Sequence, residues 1–159
     1  MRMTTRTISL LAAATLFCSL PVAAQDRKPD GINRNGGSYR VLIVDDSRFV
    51  AHQMEQILTS ESFDVTAIAE NGEEGLRKYV ELYPGIDLVI MDLTMPVMDG
   101  ISALRKIIEF DKNARVIMIA AIGKQDLVKQ CLLSGARNYI VKPLNREVVL
   151  ERVASTLAE

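Results

Sequence analysis

Three carboxylates and one ammonium stand at the ends of apolar runs in this chain. Asp45 and Asp46 close the run in YRVLIVDDSRF, Asp92 closes IDLVIMD, and Lys142 closes the run in NYIVKP. Adjacent like charges repel, and each raises the other's pKa unless a cation lies close. A helix cap needs one Asp, which accepts orphan N–H groups at the start of the next helix. That reading stays open for the Asp45–Asp46 stretch taken alone, but it leaves Asp92 and Lys142 unexplained. Three carboxylates at one spot need a cation. An all-oxygen ligand set favours Mg²⁺, or Mn²⁺ as a substitute, over softer metals. Mg²⁺ commonly takes one or two carboxylates, waters and a phosphate oxygen, which leaves room for a phosphoryl group. A carboxylate can itself be the nucleophile and form an aspartyl phosphate. Asp92, between the Asp45–Asp46 run and the Lys142 run, is the best candidate. Lys142 supplies a point charge for a phosphoryl oxygen.

These groups meet only if the runs that carry them lie side by side. Val41–Val44 is short, apolar and β-branched, hence a strand. From Ser47 to about Ser60, Phe49, Val50, Met54, Ile57 and Leu58 form a helical stripe. The pattern then repeats. Strands are predicted at Phe63–Ala69, Ile86–Asp92, Ala114–Ala121 and Asn138–Pro143, and helices at Asn71–Pro84, Asp99–Phe110, Lys124–Gly135 and Asn145–Ala158. Five βα units with apolar strands predict an α/β fold, a doubly wound five-stranded parallel sheet with helices on both faces. Such sheets bind ligands beyond the carboxyl ends of their strands. Asp45, Asp46, Asp92 and Lys142 all fall on that rim.

The rest of the chain narrows the options. At 159 residues, 25% charged and 48% hydrophobic, it has the length and composition of one globular domain. A net charge of −1 argues against nucleic acid or an anionic membrane as partner. Cys18 and Cys131 show no metal-ligand spacing, and His52, the single histidine, reads as a solvated helix residue. Residues 1–24 look like a secretory signal: Arg2 and Arg6 lead, Ile8 to Leu20 is apolar but too short for a comfortable span, and VAA precedes Gln25. Residues 25–38 read as a polar linker, and residues 39–159 as the folded domain.

From about Arg40 to Leu157 the chain resembles the receiver domain of bacterial response regulators, especially stand-alone chemotaxis-type regulators. VDDS at Val44–Ser47, MDLTMPVMDG at Met91–Gly100 and KP at Lys142–Pro143 carry the resemblance. It implies the flavodoxin-like strand order 2-1-3-4-5, for which this family's chemotaxis member is itself the standard example. It implies that Asp92 accepts the phosphoryl group, that Asp46 ligates Mg²⁺ directly and Asp45 mainly through water, and that the Thr94 backbone carbonyl is a further ligand. Lys142 would contact the phosphoryl group, with a cis bond to Pro143, and Tyr139 would be the aromatic switch residue. The implied donor is a sensor histidine kinase or phosphotransfer protein. Output would be a protein contact through the helix 4–strand 5–helix 5 face around Lys124, Lys129, Tyr139 and Arg146, made by a monomer in the cytoplasm. The signal-like residues 1–24 keep export open. Beyond its own phosphorylation and slow dephosphorylation, no enzyme activity is implied.

One position departs from the family. Receivers usually carry Thr or Ser at the end of strand 4, and here Ala120 stands there. Its missing hydroxyl weakens the expected coupling of phosphate to switch. A degenerate module that docks partners regardless of phosphorylation is the alternative. A phosphatase of the haloacid dehalogenase type would want a second Asp two residues after the first, where this chain has Thr94.

Overall fold

The computed structural model describes residues 30–122 and 125–158. Strands and helices alternate: β1 Arg40–Val44, α1 Arg48–Thr59, β2 Asp64–Ala69, α2 Gly72–Leu82, β3 Leu88–Asp92, α3 Gly100–Phe110, β4 Val116–Ala120, α4 Gln125–Leu133, β5 Asn138–Val141 and α5 Arg146–Ala158. The five strands form one sheet in the order β2-β1-β3-β4-β5, and every adjacent pair is parallel. This is the doubly wound order that the motifs implied.

The strands read as unbroken apolar runs because both sheet faces are covered. Successive side chains point to opposite faces. Leu42, Val44, Val89, Met91, Val116 and Met118 meet α2, α3 and α4 on one face. Val41, Ile43, Leu88, Ile90, Ile117 and Ile119 meet α1 and α5 on the other. Each such Leu, Ile or Val contributes about 1.5–3 kcal/mol by leaving water, so the sheet is a firm platform for its rim.

Side chains cap four of the helices. Ser47 accepts from the Val50 N–H, Asn71 from Glu74, Asp99 from Ser102 and, before α5, Asn145 from Val148. The cap of α1 is therefore Ser47, and neither Asp45 nor Asp46 fills that role. Some expected boundaries shrink. Ile86 and Asp87 lie outside β3, and the Asp87 carboxylate instead accepts the Arg40 N–H at 2.8 Å.

The segment read as a linker is folded where it is described. A backbone bridge joins Ile32 and Ser38, the Asn33 carboxamide accepts from the Asn35 and Gly37 N–H groups, and Gly31 donates to Glu61. A Cβ on Gly31 would lie 2.2 Å from the Phe63 nitrogen, so this close approach to the start of β2 requires glycine. Residues 1–29, with the signal-like stretch and Cys18, and Lys124 of the expected output face lie outside the described residues. Among the described residues no helix is long and apolar enough to cross a membrane.

Candidate functional site: an acidic rim with one lysine

Strand register brings the charged groups together. Val44 pairs with Met91, so Asp45 and Asp92 leave their strands level with one another. Ala120 pairs with Val141, and the Lys142 N–H donates to the Ala120 carbonyl at 2.8 Å. Asp45, Asp46 and Asp92 each offer an oxygen, and these oxygens lie within 4.8 Å of one another. Asp45 and Asp92 are buried, at 1% and 5% exposure, and Asp46 is exposed. Lys142 Nζ reaches Asp92 Oδ1 at 2.7 Å and Asp45 Oδ2 at 3.2 Å.

Each carboxylate is oriented. The Ser47 N–H donates to Asp45 Oδ1 at 2.8 Å, and the Thr94 N–H donates to Asp92 Oδ2 at 3.0 Å. Burial pushes the Asp45 pKa up, the Ser47 bond opposes this, and the nearby Asp92 charge adds to the rise. Burial works against the Lys142 ammonium. Hydrogen bonding to Asp92 and the charges of Asp92 and Asp45 outweigh it, so its pKa is raised and it stays charged. One ammonium against three carboxylates leaves about two negative charges uncompensated in a partly dry site. A small divalent cation fits that deficit, and hard oxygen donors suit Mg²⁺.

The loop from β3 to α3 holds this arrangement from below. Gly100 donates to the Leu93 carbonyl at 3.0 Å. A Cβ on Gly100 would stand 2.1 Å from the Asp92 carbonyl oxygen and 3.0 Å from Met118 Cε. Within the loop, the Met98 N–H donates to the Pro96 carbonyl across Val97, whose φ is 68°. A β-branched residue there is strained, at about 1–3 kcal/mol.

Lys142–Pro143 is cis, as the resemblance implies, and so is Tyr83–Pro84. Ala120 ends β4 at 1% exposure. Tyr139 is half-buried on β5 and Lys129 is exposed. Arg146 is exposed, pairs with Glu61 and donates to Ser60 Oγ at 3.2 Å. His52 is an exposed helix residue that meets Glu55 and Gln56. Cys131 is buried in α4, and burial pushes its thiol pKa up.

A doubly wound sheet whose carboxyl rim gathers these carboxylates and a lysine defines the receiver class of signalling domains. Residues 41–154 match the family described as response regulator receiver domain, and the chain belongs to it. It is similar to the chemotaxis protein CheY of Treponema pallidum, 61% identical over 132 residues that cover 83% of this chain and 92% of that one. CheY of Bacillus subtilis is 46% identical, over 76% of this chain and 98% of the relative. A crystal structure of the CheX–CheY–BeF3–Mg complex from Borrelia burgdorferi matches with a TM-score of 0.80 and 55% identity, covering 84% of this chain and 100% of that one. The chain is thus a receiver domain similar to CheY, of a family consistent with phosphorelay signalling.

Proposed function

We propose that Asp92 is the phosphoacceptor, and that the protein passes the signal on by protein contact. The carrying observation is the 2.7 Å contact of Lys142 with Asp92 beside two further carboxylates. An oxygen of Asp92 attacks the donor phosphorus. The new bond is the acyl phosphate P–O bond, the donor's bond to phosphorus breaks, and its leaving group departs with that electron pair. With acetyl phosphate the leaving group is acetate. Asp46 would hold Mg²⁺ directly, Asp45 mainly through water, and the Thr94 carbonyl would complete the protein's share, with Mn²⁺ as a substitute. The bound cation would neutralise charge on the transferring group. Lys142 follows a phosphoryl oxygen, and the Thr94 N–H keeps the carboxyl plane fixed. The donor is a sensor histidine kinase or phosphotransfer protein. The Borrelia burgdorferi relative, crystallised in complex with CheX, BeF3 and Mg, supports both a cation and a protein partner for this chain. Any catalysis is limited to this self-phosphorylation and to slow hydrolysis, in which water attacks the phosphorus, the P–O bond to Asp92 breaks and inorganic phosphate leaves.

A docking module indifferent to phosphate would gain nothing from three converging carboxylates, given their repulsion. Calorimetric Mg²⁺ titration separates the two readings. The parent is expected to bind one Mg²⁺, and Asp46→Asn to weaken binding about ten-fold or more, since even outer-shell partners are worth that much. A parent that binds no Mg²⁺ would favour the docking module.

The protein is placed in the cytoplasm on this reading, because histidine kinases of the family present their catalytic domains there. N-terminal sequencing of native protein from fractionated cells checks this. A mature start at Gln25 in an exported fraction would refute it.

A further inference from the structure

Tyr139 lies on β5, the edge strand of the sheet. It pairs with Met118 and packs into the layer that holds Met118, Ala120 and Val128. Helix α5 covers the opposite face, through Val149, Leu150 and Val153. Arg152 belongs to that helix, yet its Cζ stands 5.9 Å from the centroid of the Tyr139 ring. The side chain therefore passes round the open edge of β5 and joins the two layers. A guanidinium within about 6 Å of a ring face is attracted by the ring quadrupole.

A second link lies one turn along. Asn138 Nδ2 donates to Ser155 Oγ at 3.0 Å, and Asn138 Oδ1 accepts the Tyr139 N–H at 2.9 Å. Residues three apart share a helix face, so Arg152 and Ser155 grip Asn138 and Tyr139 together. On the phosphate side, Ala120 has no hydroxyl with which to move.

We propose that Arg152 is a positioning residue, a latch that holds the Tyr139 ring in its present orientation across the sheet edge. The latch rests on reading Tyr139 as the switch aromatic. It makes the resting ring position a property of α5, so that helix and switch move as one unit. Removing the guanidinium shifts the ring population about two- to five-fold, the size of an exposed cation–π contact.

The test uses the full chain with ring-labelled tyrosine, with Tyr139→Phe assigning the signal among four tyrosines. NMR is recorded for the parent, Arg152→Gln and Arg152→Lys. Arg152→Gln is expected to change the Tyr139 ring shifts or exchange by that two- to five-fold population change. Arg152→Lys keeps a cation and is expected to stay near the parent. Unaltered Tyr139 signals in Arg152→Gln would overturn the latch, and so would equal changes in both variants, which would mark simple packing. Intact mass after acetyl phosphate treatment is read on the same samples. Loss of phosphorylation in the parent would refute the phosphoacceptor reading while leaving the ring measurement valid.

Discussion

Gly100→Ala is expected to destabilise the protein by about 1–3 kcal/mol or more, the cost of forcing extra volume into a packed site, and to remove most phosphorylation of Asp92. The new methyl would stand 2.1 Å from the Asp92 carbonyl oxygen, which no rotamer change can relieve, because the obstacle is backbone. Either α3 retreats or the end of β3 moves. Retreat breaks the Gly100 bond to Leu93, and movement carries the Asp92 carboxylate away from Lys142 and the Thr94 N–H. A displacement of about 1 Å is enough to cost on the order of 10²-fold in a positioned reaction. Urea unfolding and the rate of mass gain from acetyl phosphate measure the two effects. Parent-like values of both would show that the close approach of α3 does not hold the site.

Ala120→Ser is expected to strengthen the response to phosphorylation about ten-fold. A ligand moves a two-state equilibrium only through contacts that differ between the states. Ala120 is buried at the end of β4, where the Lys142 N–H bonds its carbonyl. A serine hydroxyl at that place gains a phosphoryl oxygen only in the phosphorylated arrangement. A hydrogen bond to a charged group is worth roughly 1.5–3 kcal/mol, and 1.4 kcal/mol is a factor of about ten. The unphosphorylated form is also disfavoured if the buried hydroxyl stays unpaired. Tyr139 ring signals, with and without beryllofluoride and Mg²⁺, measure the shift. A parent shift already as large as that of the Ser variant would show that Ala120 does not weaken the switch.

The rim was legible because it depends on strand ends. Apolar runs that terminate in Asp45, Asp92 and Lys142 must share one edge once the strands are parallel. Burial on both faces then explains runs without alternation, such as Val41–Val44. Other features depend on contacts between distant elements, which no local pattern reports. Gly31 reads as linker glycine until Phe63 is packed against it. The pairing of Arg146 with Glu61 likewise joins residues 85 positions apart. The Arg152–Tyr139 contact crosses from helix to strand, and neither stretch signals the other. Val97 was invisible for a different reason: positive φ favours Gly or Asn, and a strained Val carries no turn signal.

Intact mass after incubation with acetyl phosphate and Mg²⁺ tests the central claim most directly. The parent is expected to gain one phosphoryl group, to lose that gain when Mg²⁺ is chelated, and to show no gain as Asp92→Asn. A gain that persists in Asp92→Asn would contradict the assignment of Asp92 as phosphoacceptor.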